Sequence, residues 1–138
     1  MKFQEELQIN ATPQAIYDVY AEVDQWSQWD PGVADATAGN GLAVGSVGTL
    51  QPTKGPKSKI RITEATEAKS FTVTSRLPLC SLQFVHRLEP QSSGTLVTHE
   101  VVFDGALSPV FGRLLGSRIS GDLPETLAGL KKKCEVAA

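Results

Sequence analysis

The chain has 138 residues, of which 41% are hydrophobic and 20% are charged. This length and balance predict one folded domain with one core, spanning residues 1–138, and exclude a disordered chain. The formal net charge of −2 argues against a nucleic-acid partner, because such proteins usually carry a basic face.

Two further features bear on where the protein works. No stretch reaches the run of about 20 apolar residues that a membrane span needs, and the N-terminus lacks the apolar core of a signal peptide. Cys80 and Cys134 lie far apart and have neither metal-binding nor redox-motif spacing, so we expect free thiols. These features predict a cytoplasmic protein without a membrane span.

The first part of the chain predicts a strand and two short helices. Residues 2–9 alternate between apolar and polar positions, as a half-buried strand does. Thr12 is a good N-cap and Pro13 a good first residue for the helix that follows. Asp24 can cap a second short helix, which must end before Pro31. The first helix has apolar residues at i, i+3, i+4 and i+7, namely Ile16, Val19, Tyr20 and Val23.

The rest of the chain predicts six strands and a long helix. Short connections rich in glycine and proline separate the strands, so neighbouring strands must be antiparallel. Ser108 is the expected N-cap of the helix and Pro109 its first residue. The helix should run to about Cys134, with a kink at Pro124. The strands are predicted at residues 33–37, 46–51, 58–65, 70–77, 80–89 and 95–104.

This element order indicates an α+β fold, in which a curved antiparallel sheet of seven strands packs around the long C-terminal helix. Three stretches of sequence resemble the START/Bet v 1-like (SRPBCC) superfamily, and within it the polyketide cyclase/dehydrase branch. They are ATPQAIYDVYAEVDQWSQWDP at 11–31, HRLEPQSSGTLVTHEVVFDG at 86–105 and ALSPVFGRLLGSRISGDLPETLAGLK at 106–131. The resemblance implies a helix-grip fold with space between sheet and helix for a hydrophobic small molecule.

The last two strands can be placed in register from their own pattern. A tight turn at Ser92 and Ser93 pairs His86 with His99 and puts the apolar residues of both strands on one face. The two histidines of the chain then become inward-facing neighbours, with Cβ atoms about 5 Å apart. Their titration should be coupled, with two apparent pKa values that belong to the pair.

The histidine pair has two interpretations. In one, His86 and His99 are catalytic, donating and accepting protons for a ligand carbonyl or hydroxyl. In the other they are lining residues that bond to each other, to water or to a tyrosine. Tyr17 and Tyr20 are candidates for the core or the cavity, since a buried phenol needs a partner. No residue spacing indicates a metal, nucleotide or flavin cofactor.

We expect the pocket to lie between the sheet and the long helix. Apolar residues of both the sheet and the helix should line it. Trp29 is expected either to pack in the core or to contact the ligand. Arg118 lies near the edge of the apolar stripe of the helix, where it can reach a ligand acid or solvent. The turns at 52–57 and 77–80 share one end of the sheet with the start of the helix, so the entrance is predicted there. The predicted lining residues are Phe84, Val101, Phe103, Phe111, Leu115 and Ile119.

Three functions fit this sequence. The first is binding of a hydrophobic polyketide, lipid or aromatic molecule. The second is cofactor-free cyclisation or dehydration of a polyketide, because aldol closure and loss of water need little beyond shape and acid–base groups. The third is a protein-interaction module, which a large apolar patch outside the cavity would favour. The sequence gives neither the ligand nor the oligomeric state.

Overall fold

The computed structural model describes residues 2–137. Seven strands and two α-helices form the fold, with a short 3₁₀ helix, Val23–Gln28, after the first α-helix. The elements are β1 Lys2–Ile9, α1 Pro13–Ala21, β2 Val33–Ala38, β3 Val47–Pro52, β4 Ser58–Thr66, β5 Ser70–Leu77, β6 Cys80–Gln91, β7 Gly94–Asp104 and α2 Ser108–Ala137.

The strands form one antiparallel sheet in the order β1-β7-β6-β5-β4-β3-β2. Consecutive strands β2 to β7 are neighbours, and β1 closes the far edge against β7. Register shifts in β2 and β4 interrupt the ladders, as bulges that bend a sheet do. The helix α2 packs chiefly on β1 and β7. The predicted α+β helix-grip fold is therefore confirmed.

The hairpin of β6 and β7 has the predicted register. His86 pairs with His99, Phe84 with Val101 and Leu82 with Phe103. Gln91 pairs with Gly94, which leaves a two-residue loop at Ser92 and Ser93. Gly94 has a φ of +134°, a backbone conformation that side chains rarely adopt, and this glycine makes the tight turn possible.

Two helix starts differ from the sequence prediction. The carbonyl oxygen of Leu107 accepts hydrogen bonds from the amides of Val110 and Phe111, so α2 begins at Ser108 and includes it. The second short helix is a 3₁₀ helix that begins at Val23, and no side chain caps it. The prediction that Asp24 caps this helix was wrong, because Glu22 occupies the cap position.

Two glycines bring α2 close to its neighbours. A Cβ atom on Gly116 would lie 2.3 Å from the ring of Phe3 in β1. A Cβ atom on Gly129 would lie 1.9 Å from the carbonyl oxygen of Trp29. Neither glycine has a side chain, so α2 can approach its neighbours closely. Gly116 allows the first half of α2 to approach β1, and Gly129 allows the second half to approach Trp29.

The core has two parts that meet the two halves of α2. The first, here called the sealed half, includes Tyr20, Phe71, Leu127 and Leu130, each at most 1% exposed. The second, here called the open half, holds both buried and accessible apolar residues around the first half of α2. Phe84 packs against both parts.

Candidate functional site

The structure brings the six predicted lining residues into the open half. Val101 and Phe103 are buried on the inner face of β7, and the ring of Phe3 packs edge-on against Phe103 at 6.2 Å. The other four keep part of their surface accessible although they face the space between sheet and helix. These four are Phe84, Phe111, Leu115 and Ile119.

Helical geometry shows where this accessible space lies. Gly116 faces Phe3 of β1, and Leu114 is 69% exposed on the outer side of α2. Phe111 and Leu115 lie between these two directions, on the flank of the helix that is turned away from β1. The accessible apolar surface that Phe84, Phe111, Leu115 and Ile119 form beside α2 is here called the groove.

Two concavities in the described residues are open to solvent. One, of about 430 Å³, lies at the sheet end beside the start of α2, between residues 76–81 and 104–106. The other, of about 640 Å³, lies on the opposite half of the molecule between the segment 27–31 and the second half of α2. Neither is lined by the six predicted residues, and the enclosed cavity predicted between sheet and helix stays a prediction.

The predicted entrance region has two contacts that place its parts. The amide of Leu107 donates to the carbonyl oxygen of Leu79, which fixes the 77–80 turn against the start of α2. The guanidinium of Arg118 donates to the carbonyl oxygen of Lys54 at 2.8 Å, which joins the 52–57 loop to α2. Arg118 is itself exposed, so its charge stays close to solvent.

Tyr20, His86 and His99 form a polar group on the inner face. The imidazole rings of the two histidines are 4.6 Å apart and nearly perpendicular. The hydroxyl of Tyr20 lies 2.6 Å from Nε2 of His99, and the tyrosine ring also packs against His86 at 5.4 Å. The His86 ring stacks flat on Phe71 at 4.0 Å, and its Nδ1 lies 3.2 Å from the Phe71 carbonyl oxygen.

Burial keeps this polar group uncharged near neutral pH. Desolvation lowers the pKa of His86 to about 4, against opposing hydrogen bonds to the Phe71 and Phe84 backbone. Desolvation, with a smaller contribution from His86, lowers the pKa of His99 well below its ordinary value. The pKa of Tyr20 is raised well above 10, chiefly by burial and then by Cys134 and Asp30. Two neutral imidazoles and a phenol can exchange hydrogen bonds without charged partners.

Other chemically active side chains lie in the sealed half. Trp29 is 7% exposed and packs edge-on against Tyr20, so it belongs to the core, and its predicted ligand contact stays untested. Its Nε1 has no hydrogen-bond partner among the described residues. Asp30 accepts bonds from the Gly32 amide and the Thr126 hydroxyl, yet burial raises the pKa of its carboxyl.

Sequence reasoning found the histidine pair and named a tyrosine among its alternative partners, but it did not identify Tyr20 as that tyrosine and it missed Phe71. The period of α1 placed Tyr20 on an apolar stripe, which gives no distance to His99, some 79 residues away along the chain. The stacking of Phe71 on His86 depends on the β5–β6 register, which pairs these two residues. A register derived from the 77–80 turn would have paired these two residues.

Neither a metal-binding cluster nor a membrane-spanning helix is found within residues 2–137. No cluster of three or more His, Cys, Asp or Glu side chains in this part of the chain is arranged to hold a metal ion. No helix there is both long enough and apolar enough to cross a membrane. Cys80 and Cys134 are free and buried.

A curved antiparallel sheet around one long helix, with a polar group on an otherwise apolar inner face, defines a helix-grip protein of the START/Bet v 1-like class. The chain belongs to the family described as "Polyketide cyclase / dehydrase and lipid transport", whose profile matches residues 1–135. No curated protein matches the chain.

Solved structures with the same fold are distant in sequence. The chain superposes with a TM-score of 0.75 on TTHA0849 from Thermus thermophilus, at 16% identity, covering 100% of this chain and 99% of that one. For norcoclaurine synthase from Thalictrum the TM-score is 0.77 at 14% identity, with 99% and 95% covered. For the di-domain ARO/CYC StfQ of the steffimycin pathway it is 0.77 at 16% identity, with 99% and 51% covered.

Proposed function

We propose that the protein binds a hydrophobic small molecule in the groove between α2 and the sheet. One observation carries this proposal, namely that Phe84, Phe111, Leu115 and Ile119 face inward and still keep accessible surface. Apolar surface that faces inward and still contacts water is unfavourable, and a bound molecule that covered it would remove this cost. Membership of a family described by cyclase, dehydrase and lipid-transport activities supports the same function.

The second half of α2 is a reference for how fully a helix with a purely structural role is covered. Leu127 and Leu130 are at most 1% exposed, so they are covered as fully as core residues usually are. Leu115 and Ile119 lie on the same helix and are only partly covered. A ligand of apolar or aromatic character would complete the packing of these two residues.

The proposal is tested by filling the groove from one side of α2. The Leu115→Trp variant places an indole in the groove, whereas Leu114→Trp adds the same group to the outer face, where Leu114 is 69% exposed. We expect N-phenyl-1-naphthylamine to bind the wild type and Leu114→Trp alike, and Leu115→Trp at least about tenfold more weakly, because steric filling removes contact area. Equal binding by both variants, or none by the wild type, would overturn the proposal.

A second measurement asks whether the protein carries a ligand when it is purified. Native mass spectrometry of fresh protein should show a bound species that organic extraction releases and that is depleted in Leu115→Trp. Retention by Leu115→Trp at the wild-type level would place the bound molecule elsewhere. The identity of the extracted molecule would distinguish polyketide, lipid and aromatic ligands.

The polar group favours cofactor-free cyclisation as a second candidate function. His86 and His99 lie side by side, with a phenol 2.6 Å from one of them, so a proton acceptor and a donor are adjacent. In such a reaction a histidine takes a Cα proton and the carbanion forms a carbon–carbon bond to a ketone carbon. The resulting alkoxide is protonated, and elimination of water then forms the double bond.

This candidate is tested with a short poly-β-ketone thioester. Wild type should release a cyclised product lighter by one water, faster than the spontaneous reaction, and His99→Phe should reduce the rate while leaving probe binding intact. A rate equal to that of the protein-free control would exclude catalysis with this substrate and leave the binding function standing.

A further inference from the structure

The imidazole of His86 is held in one orientation. Its Nδ1 is 3.2 Å from the Phe71 carbonyl oxygen, which is an acceptor only, so Nδ1 carries the proton. The ring lies flat on the Phe71 ring with an interplanar angle of 3°, and the edge of His99 packs against it. The neutral ring therefore presents Nε2 as a hydrogen-bond acceptor.

The backbone partners of the His86 ring are the carbonyls of Phe71 and Phe84, which can only accept and therefore cannot satisfy this acceptor. The hydroxyl of Tyr20, which packs against His86, has its hydrogen bond with Nε2 of His99 instead. Within residues 2–135, the fully buried side-chain polar atom without a partner is Nε1 of Trp29. The unpaired Nε2 of His86 is therefore not sealed in the core, and His86 keeps accessible surface on the inner face of β6.

The position of His86 connects this acceptor to the groove. His86 precedes the sealed half on β6, where Leu88 pairs with Val97, and follows the open half, where Phe84 pairs with Val101. A flat apolar molecule that covered Phe84 would have its inner end next to the imidazole of His86.

Charged groups do not compete for this place. The guanidinium of Arg118 is bonded to the Lys54 carbonyl, and the inner carboxyl of Asp30 is bonded to Gly32 and Thr126. An anionic ligand group would therefore meet an acceptor lone pair without a cation to balance its charge. An uncharged hydrogen-bond donor is not repelled by the lone pair and needs no balancing cation.

From this geometry we propose that Nε2 of His86 accepts a hydrogen bond from an uncharged hydroxyl, a phenol or an enol, on an aromatic ligand in the groove. The inference rests on the proposed binding function and specifies which ligands the groove prefers. Phe84 and Phe111 supply the apolar contact, while the imidazole selects the hydroxyl because a ligand without a donor would cover Nε2 and leave it unpaired.

The test compares three ligands of one ring size by calorimetry. 2-Naphthol can donate a hydrogen bond, 2-methoxynaphthalene can only accept one, and 2-naphthoate is charged. Wild type should bind 2-naphthol about five- to tenfold more tightly than 2-methoxynaphthalene, as one hydrogen bond implies, and 2-naphthoate most weakly. In His86→Phe, which keeps a ring against Phe71, the preference for 2-naphthol should disappear while 2-methoxynaphthalene still binds.

The outcomes separate this inference from the function on which it rests. Binding of all three ligands with equal affinity by wild type, or an unchanged preference in His86→Phe, would overturn the hydroxyl inference alone. Failure of the wild type to bind any of the three would overturn both proposals. If His86→Phe does not fold, the hydroxyl inference is tested in the wild type by the ¹⁵N NMR chemical shift of Nε2 of His86. It should move on addition of 2-naphthol and stay unchanged with 2-methoxynaphthalene.

Discussion

The two halves of α2 meet the same sheet and differ in how completely they are covered. The second half packs against α1 and the segment after the 3₁₀ helix, and Leu127 and Leu130 lose nearly all their accessible surface. The first half packs on β1 through Gly116, while Leu115 and Ile119 on its other flank remain partly accessible. One helix thus combines a fully covered half with a half that keeps accessible apolar surface.

The strongest test of this difference is to replace one leucine by alanine in each half of α2. Leu127→Ala should lower the free energy of unfolding by about 3 kcal/mol, because it leaves a cavity in the sealed half. Leu115→Ala should lower it by only about 1 kcal/mol, because the side chain is already partly hydrated. Urea unfolding of both variants measures the difference. Equal losses would mean that the two halves of the helix are packed alike.

Glycine substitutions along α2 give a second test of the same contrast. In Gly129→Ala the new Cβ would meet the Trp29 carbonyl oxygen at 1.9 Å, so we expect a loss of about 2 kcal/mol. In Gly121→Ala it meets nothing within 4 Å, and the higher helix propensity of alanine should stabilise the fold by about 0.5–1 kcal/mol. Thermal unfolding of the two variants should therefore shift in opposite directions. A stabilised Gly129→Ala would show that α2 stands further from Trp29.

The histidine pair lies where the halves meet, and its titration should make stability depend on pH. The unfolded chain protonates its histidines near pH 6.5, whereas the folded pKa of His86 is about 4 and that of His99 is also lowered. Between these values the unfolded state binds more protons, so the free energy of unfolding should fall as the pH falls from about 6.5 to about 4. We expect about 2–3 kcal/mol from His86 over this range.

The variant His86→Phe is the matched control for this pH dependence. It removes one titrating group and should have a shallower decline over the same range, measured by urea unfolding at several pH values. Asp30, whose pKa is raised by burial, acts in the opposite direction but is present in both proteins, so its contribution cancels. Parallel declines in the two proteins would contradict the burial of His86 as an uncharged ring.

Local sequence patterns predicted most of the fold and part of the site. Alternation in β6 and β7 and the short loop at Ser92 and Ser93 were enough to pair His86 with His99. The helical period of α2 identified Phe111 and Leu115 as inward-facing. Such patterns determine which face a residue occupies, and therefore which residues can meet across neighbouring strands.

Tertiary distances were beyond these patterns. The bond of Tyr20 to His99 depends on how α1 lies across the sheet, and the flat stacking of His86 on Phe71 depends on the β5–β6 register. The degree to which Leu115 is covered depends on how far α2 stands from the central strands. A periodic pattern in the sequence carries no information on the distance between two elements, so the coverage of Leu115 had to come from the structure.

The central claim is that the open half of α2 and its surroundings form the ligand site, and hydrogen exchange with and without N-phenyl-1-naphthylamine tests it most directly. At a hundred times its dissociation constant the probe should stabilise the fold by roughly 2.7 kcal/mol. We expect added protection in the first half of α2, the 77–80 turn and the 52–57 loop, where Arg118 joins the loop to the helix. Protection confined to residues 39–45 and 90–94, at the opposite end of the sheet, would contradict the account.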